Sequence, residues 1–174
     1  MEDYSYPIGR FKPEQELTEA RRIALIDDVT KAPAALREAV HGLTKQQLET
    51  PYRPGGWTLR QVVHHLPDSH MNAYIRFRLA LTEDQPMVKP YEQAEWARLP
   101  DATSADVEIS LKLLENLHHR WVFLLSSMKP EDFQRTFRHP ESGVQKLETT
   151  LQMYAWHGKH HVAHITSLRK RNGW

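Results

Sequence analysis

The chain has 174 residues, is 40% hydrophobic and 26% charged, and carries a formal net charge of +1 with its histidines neutral. That length fits one domain spanning residues 1–174 with a sizeable core, and the near-zero charge leaves no footprint for a nucleic-acid or anionic-membrane partner. Cysteine is absent, which excludes disulfides, cysteine nucleophiles and thiolate ligands, so any metal must be held by His, Asp or Glu.

No apolar run is long enough to span a bilayer, and the N-terminus has no signal-peptide pattern. The expected location is the cytoplasm. Residues 1–13, with Tyr6-Pro7-Ile8-Gly9 and Pro13, read as an extended arm. A first helix is predicted from about Glu14 to Val40, interrupted at Pro33, because proline removes a helix hydrogen bond and crowds the preceding turn. Thr44 and Gln47 form a capping-box pattern that opens a short helix. Tyr52-Arg53-Pro54-Gly55-Gly56 is then a loop.

Thr58 and Gln61 make a second capping box. The helix it opens carries Val62, Leu66, Ala73, Phe77 and Ala80 on one face, with a kink expected at Pro67. Thr82–Thr103 reads as a long connection with three prolines, of a length that is usually functional or covers an opening. A third long helix follows from about Ser104 to Met128 on the stripe Leu111, Leu114, Leu117, Trp121, Leu125. Pro130–Phe133 is a short helical turn, Gln134–Lys146 a small hairpin, and Glu148–Arg171 the last helix, closed by Gly173. Four long amphipathic helices with little strand signal predict an all-α four-helix bundle. The long connection between its second and third long helices argues against a simple up-down-up-down series.

The last helix holds four of the eleven histidines within Tyr154–His164. His157 and His161 are four apart, as are His160 and His164, so each pair lies on one helical face and can grip one ion. At the 3.6-residue period, Tyr154, Ile165 and Leu168 mark an apolar face. His161 falls within it, His157 beside it, His164 at its edge and His160 well outside. Imidazoles pointing into a core need partners. We take His157 and His161 as ligands and His164 as their neighbour. A third ligand should come from His64, His65 or His70 on the second long helix. Periodicity puts His70 nearest the apolar face, His65 at its edge and His64 away from it.

The stretch Gly55-Gly56-Trp57-Thr58-Leu59-Arg60-Gln61-Val62-Val63-His64-His65-Leu66, followed by Asp68-Ser69-His70-Met71-Asn72, resembles the bacterial YfiT-type proteins of the DinB-like superfamily. So do Tyr6-Pro7-Ile8-Gly9 and the Trp156-His157-x-x-His160-His161-x-x-His164 block. The resemblance covers essentially the whole chain; Pro67 departs from it. It implies a homodimeric four-helix bundle with a three-histidine metal site, described as a metal-dependent hydrolase, and carries the ligand set to His65, His157 and His161. One divalent transition metal per chain is expected, zinc first and nickel second.

Asp68 and His164 are candidates for orienting the ligands or relaying protons. The expected partner is a small-molecule substrate. Hydrolysis would use the metal to acidify water and polarise a carbonyl. The alternative is transfer of a low-molecular-weight thiol to an electrophile, as implied by other DinB-like relatives and favoured by the lack of a motif glutamate after His157. A non-catalytic metal-binding bundle is the third reading.

Overall fold

The computed structural model describes residues 4–174. Four long helices carry it: α1 (Glu19–Val40), α3 (Leu59–Thr82), α6 (Val107–Ser127) and α7 (Leu147–Asn172). Short helices α2 (Lys45–Leu48), α4 (Gln93–Trp96) and α5 (Pro100–Ser104) fill the connections. A 3-10 turn, Asp132–Gln134, leads into the hairpin β1 (Thr136–His139) and β2 (Gly143–Lys146), whose antiparallel register pairs Thr136 with Lys146.

The core is apolar at both ends. One cluster gathers Leu25, Val29, Phe77, Trp121, Leu125, Leu151 and Tyr154. The other gathers Leu36, Leu59, Val62, Leu66, Leu111, Leu114, Ile165 and Leu168. These memberships give the helix directions. Helices α1 and α7 run from the first cluster to the second, whereas α3 and α6 run from the second to the first. Helix α1 packs on α7 and α6, and α3 packs on the same two. So α3 and α6 are parallel neighbours, and the chain must travel the full length of the bundle between them. That is the physical reason for the long connection over 83–106. It is not wholly irregular: it contains α4 and α5, and Val88 N–H donates to the Arg138 carbonyl beside the hairpin.

Two sequence expectations need correction. Helix α1 starts at Glu19, not Glu14, because the Thr18 hydroxyl caps it by accepting from the Arg21 N–H. Residue 14 belongs to the arm, with its N–H donating to the Gln152 side chain on α7. Nor does Pro33 interrupt α1. The helix runs through it, and through Pro67 in α3, without a break. The Val29 carbonyl, which Pro33 leaves without its helical N–H, accepts from His118 Nδ1–H at 2.7 Å instead. The other boundaries shift by a few residues, and Gly173 closes α7 with a left-handed φ of 69°.

Helix α3 is anchored by its capping box, with Thr58 accepting from the Gln61 N–H and Gln61 Oε1 accepting from the Thr58 N–H. Thr58→Ala removes one of the two caps and should lower stability by about 1 kcal/mol in urea unfolding. An unchanged midpoint would mean that α3 is held by packing alone.

Candidate metal centre

Between the two apolar clusters lies a polar layer. On α3 it is His65 and His70; on α6, His118; on α7, His157, His161 and His164. His70 and His118 are 0% and 1% exposed. The layer opens on one side into a cleft of about 440 Å³, lined by Tyr52, Arg53, Trp57, Gln93, Trp156 and the site histidines.

Three ring nitrogens converge at the base of the cleft. His157 Nε2 lies 3.4 Å from His65 Nε2 and 3.2 Å from His161 Nε2. Among the described residues, these three form a group whose ligand atoms all lie within 4.8 Å of one another. They cannot all carry protons there, since facing N–H groups at such distances repel. Nor do they charge readily. Burial pushes the pKa of His65 down to about 4 and those of His157 and His161 well below the usual histidine value. Three neutral imidazoles with converging lone pairs fit a divalent cation. Tetrahedral zinc with Zn–N bonds of about 2.0–2.1 Å places its ligand nitrogens about 3.3 Å apart, close to the spacing seen here.

The partners on the far ring nitrogens are consistent with that arrangement. His164 Nε2 lies 3.2 Å from the Ser5 carbonyl, which can only accept, so His164 donates there. Its Nδ1 is then free to accept from His161 Nδ1–H at 3.3 Å, which leaves His161 Nε2 bare on the cleft side. Tyr52 stacks on His164 at 4.0 Å between centroids, and Trp57 packs on His65 at 4.7 Å. His157 Nδ1 meets His70 Nε2 at 3.1 Å.

The other sequence candidates sit elsewhere. His64 is buried, not turned away: its Nε2–H donates to the Ala105 carbonyl and its Nδ1 accepts from Ser110. His160, expected to point outward, is covered by the arm through Tyr6 and stacks on Trp156 at 4.3 Å. Asp68 makes no hydrogen bond to any site histidine among the described residues. Burial, then Asp101, pushes its pKa up to about 6. His118 was missed, although its spacing marks it: Leu111, Leu114, His118, Trp121 and Leu125 are the buried stripe of α6, whereas Leu117 is only half-buried.

The sequence pattern of the DinB superfamily matches residues 28–165. The chain is 53% identical over all 174 residues, covering 100% of both chains, to curated proteins from Bacillus cereus and Bacillus anthracis named "Putative metal-dependent hydrolase". This chain belongs to the YfiT-type family of the DinB superfamily. A solved structure of YfiT from Bacillus subtilis, described as a probable metal-dependent hydrolase with an unusual four-helix bundle topology, is 48% identical to it. The two superpose with a TM-score of 0.97 over 99% of each chain. The four-helix bundle protein TT2238, at 19% identity and a TM-score of 0.58 over 81% of this chain and 94% of that one, shares the fold. No helix among the described residues of this family member is long and apolar enough to cross a membrane.

The buried histidines make metal-free protein acid-sensitive. Unfolded histidines take up protons near pH 6.5, whereas folded His65, His118 and His160 do so only near 4. The unfolded state therefore binds more protons through that window, and stability, full above about pH 6.5, falls as the pH drops towards 4. Thermal unfolding of chelated protein from pH 7.5 to 4.5 should show a falling Tm; a flat profile would contradict the burial described.

Proposed function

We propose that this protein is a metal-dependent hydrolase in which His65, His157 and His161 hold one divalent transition ion per chain, zinc before nickel. The convergence of three ring nitrogens, with His157 Nε2 3.4 Å from His65 Nε2 and 3.2 Å from His161 Nε2, is the observation that carries this reading. The names of the relatives from Bacillus support it. An ion held by three neutral imidazoles keeps its full charge and supplies Lewis acidity, polarising a carbonyl and acidifying a coordinated water or thiol.

The chain's own residues do the rest. His164, tied to the Ser5 carbonyl, fixes the ring of His161. Tyr52, Trp57 and Trp156 give the cleft aromatic walls for a small organic molecule. Among the described residues, its lining includes Arg53 and no carboxylate. With the histidines neutral, the local field favours a substrate bearing an anionic group.

The same lack of a carboxylate favours a second reading. Hydrolases with the His-Glu-x-x-His helix use that glutamate as general base, and among the described residues nothing equivalent lines this cleft. Transfer of a low-molecular-weight thiol to an electrophile places less demand on such a base, because a thiol is far more acidic than water. We also place the protein in the cytoplasm; no helix among the described residues is long and apolar enough to cross a membrane. We read it as a homodimer, which would cover the apolar side chains of Phe123 and Ile109, 79% and 63% exposed on α6.

Protein purified without a nickel column should contain about one zinc or nickel per chain, and His161→Ala should lose it with the fold retained by circular dichroism. Screening metal-loaded protein against esters, amides and thiol-plus-electrophile pairs should find an activity that chelation abolishes and zinc restores. Activity indifferent to chelation, or protein that cannot be loaded, would leave a bundle whose histidines only hold the core together.

A further inference from the structure

We propose that His118 and His70 are positioning residues for the metal centre. On this proposal the carbonyl of Val29, left open by Pro33, sets the tautomer of three histidines in series and so decides which nitrogen His157 offers. The proposal rests on the reading of the cleft as a metal site, but its core is a statement about protons that holds without any ion.

The series starts at a helix defect. In α1 the carbonyl of Val29 would accept from the N–H of residue 33, but that residue is proline and has none. Val29 is fully buried, so water cannot take the place of the missing donor. His118 Nδ1 lies 2.7 Å from that oxygen. A carbonyl only accepts, so the proton of His118 is on Nδ1. A neutral imidazole has one donor and one acceptor, which makes Nε2 of His118 an acceptor. Its partner is His70 Nδ1 at 2.8 Å, which must therefore donate. His70 Nε2 is then the acceptor for His157 Nδ1–H at 3.1 Å. The proton of His157 is thus on the side away from the cleft, and its Nε2 lone pair faces Nε2 of His65 and of His161. The order cannot be reversed, because the first member cannot donate.

The surroundings hold this single pattern. Both rings are shut off from water, His70 and His118 being 0% and 1% exposed, and burial disfavours a charged ring. Their rings lie side by side and nearly coplanar, with centroids 4.9 Å apart and planes 18° apart, and the rings of Trp121 and Tyr154 stand perpendicular to that of His70. Gly158 lets α1 and α7 close over this point: a Cβ there would lie 3.1 Å from Ala32 Cβ and 3.8 Å from His70 Cε1. The series ends on an amide oxygen, which does not take up a proton under ordinary conditions. It therefore orients and polarises His157; it does not conduct protons. This is the arrangement in which a ligand histidine donates its far N–H to a fixed acceptor, here extended by two more rings.

Protein labelled with 15N at histidine, metal-free and at neutral pH, tests it by long-range 15N–1H spectra, which report the tautomer of each ring. His118, His70 and His157 should all appear as the Nδ1–H form. His118→Phe keeps a ring in the core but removes the acceptor of His70. His70 and His157 should then become tautomer mixtures, and the Kd for zinc should rise by about 10–100-fold. His118→Gln, which retains a donor and an acceptor, should keep more of both than His118→Phe does. Pro33→Ala restores a competing N–H, and should move the His118 Nδ1 proton upfield. Wild-type His157 in the Nε2–H form would overturn the proposal by itself, even if no variant folds. So would a folded His118→Phe with unchanged tautomers and zinc affinity. Correct tautomers in a protein that binds no zinc would sink the metal reading and leave the series standing.

Discussion

Burying neutral imidazoles in an apolar bundle is the constraint on which the rest of this structure depends. The two hydrophobic clusters are separated by a layer of histidines from three helices, and every ring in that layer must find a donor and an acceptor without help from bulk water. Two backbone carbonyls meet that demand at the edges: Val29 in α1 and Ser5 in the arm. From each, hydrogen bonds run inward and finish at a nitrogen with no proton. The residual lone pairs of His157 and His161 meet Nε2 of His65 at the floor of the cleft. On the proposed reading, a cation there would complete what the protein's own groups leave incomplete.

The same constraint accounts for oddities elsewhere in the chain. A proline inside a long helix ordinarily costs about 3 kcal/mol or more, part of it from the lost hydrogen bond. At Pro33 the freed carbonyl is used by His118, which offsets that part. The N-terminal arm lies along α7 because it supplies the Ser5 carbonyl to His164 and covers His160 with Tyr6. The long connection is forced by the parallel placement of α3 and α6, and α4 contributes to the cleft wall near Gln93.

Much of this was legible in the sequence. Spacing offered two pairs, and the apolar face of the last helix favoured His157 and His161 over His160 and His164; capping boxes fixed where α2 and α3 begin. His65 could not be chosen that way. It and His70 are both buried on α3, and periodicity ranks His70 higher because it sits deeper. The depth that makes His70 look like a ligand is what brings it into hydrogen-bond contact with the proposed ligand His157. His64 and His160 were misjudged for one reason: a helical projection assumes a single solvated face, whereas α3 is also covered by α5 and the start of α6, and α7 by the arm. Pro33 was read as a break because the sequence does not reveal which side chain will come to its orphaned carbonyl.

X-ray absorption spectroscopy at the zinc edge of the loaded protein would test the central claim most directly. The account predicts a first shell that includes three imidazole nitrogens at about 2.0–2.1 Å, with the outer-shell scattering that histidine rings produce. A shell of oxygens alone, or one with fewer than two imidazoles, would mean that the converging nitrogens of His65, His157 and His161 do not hold the ion.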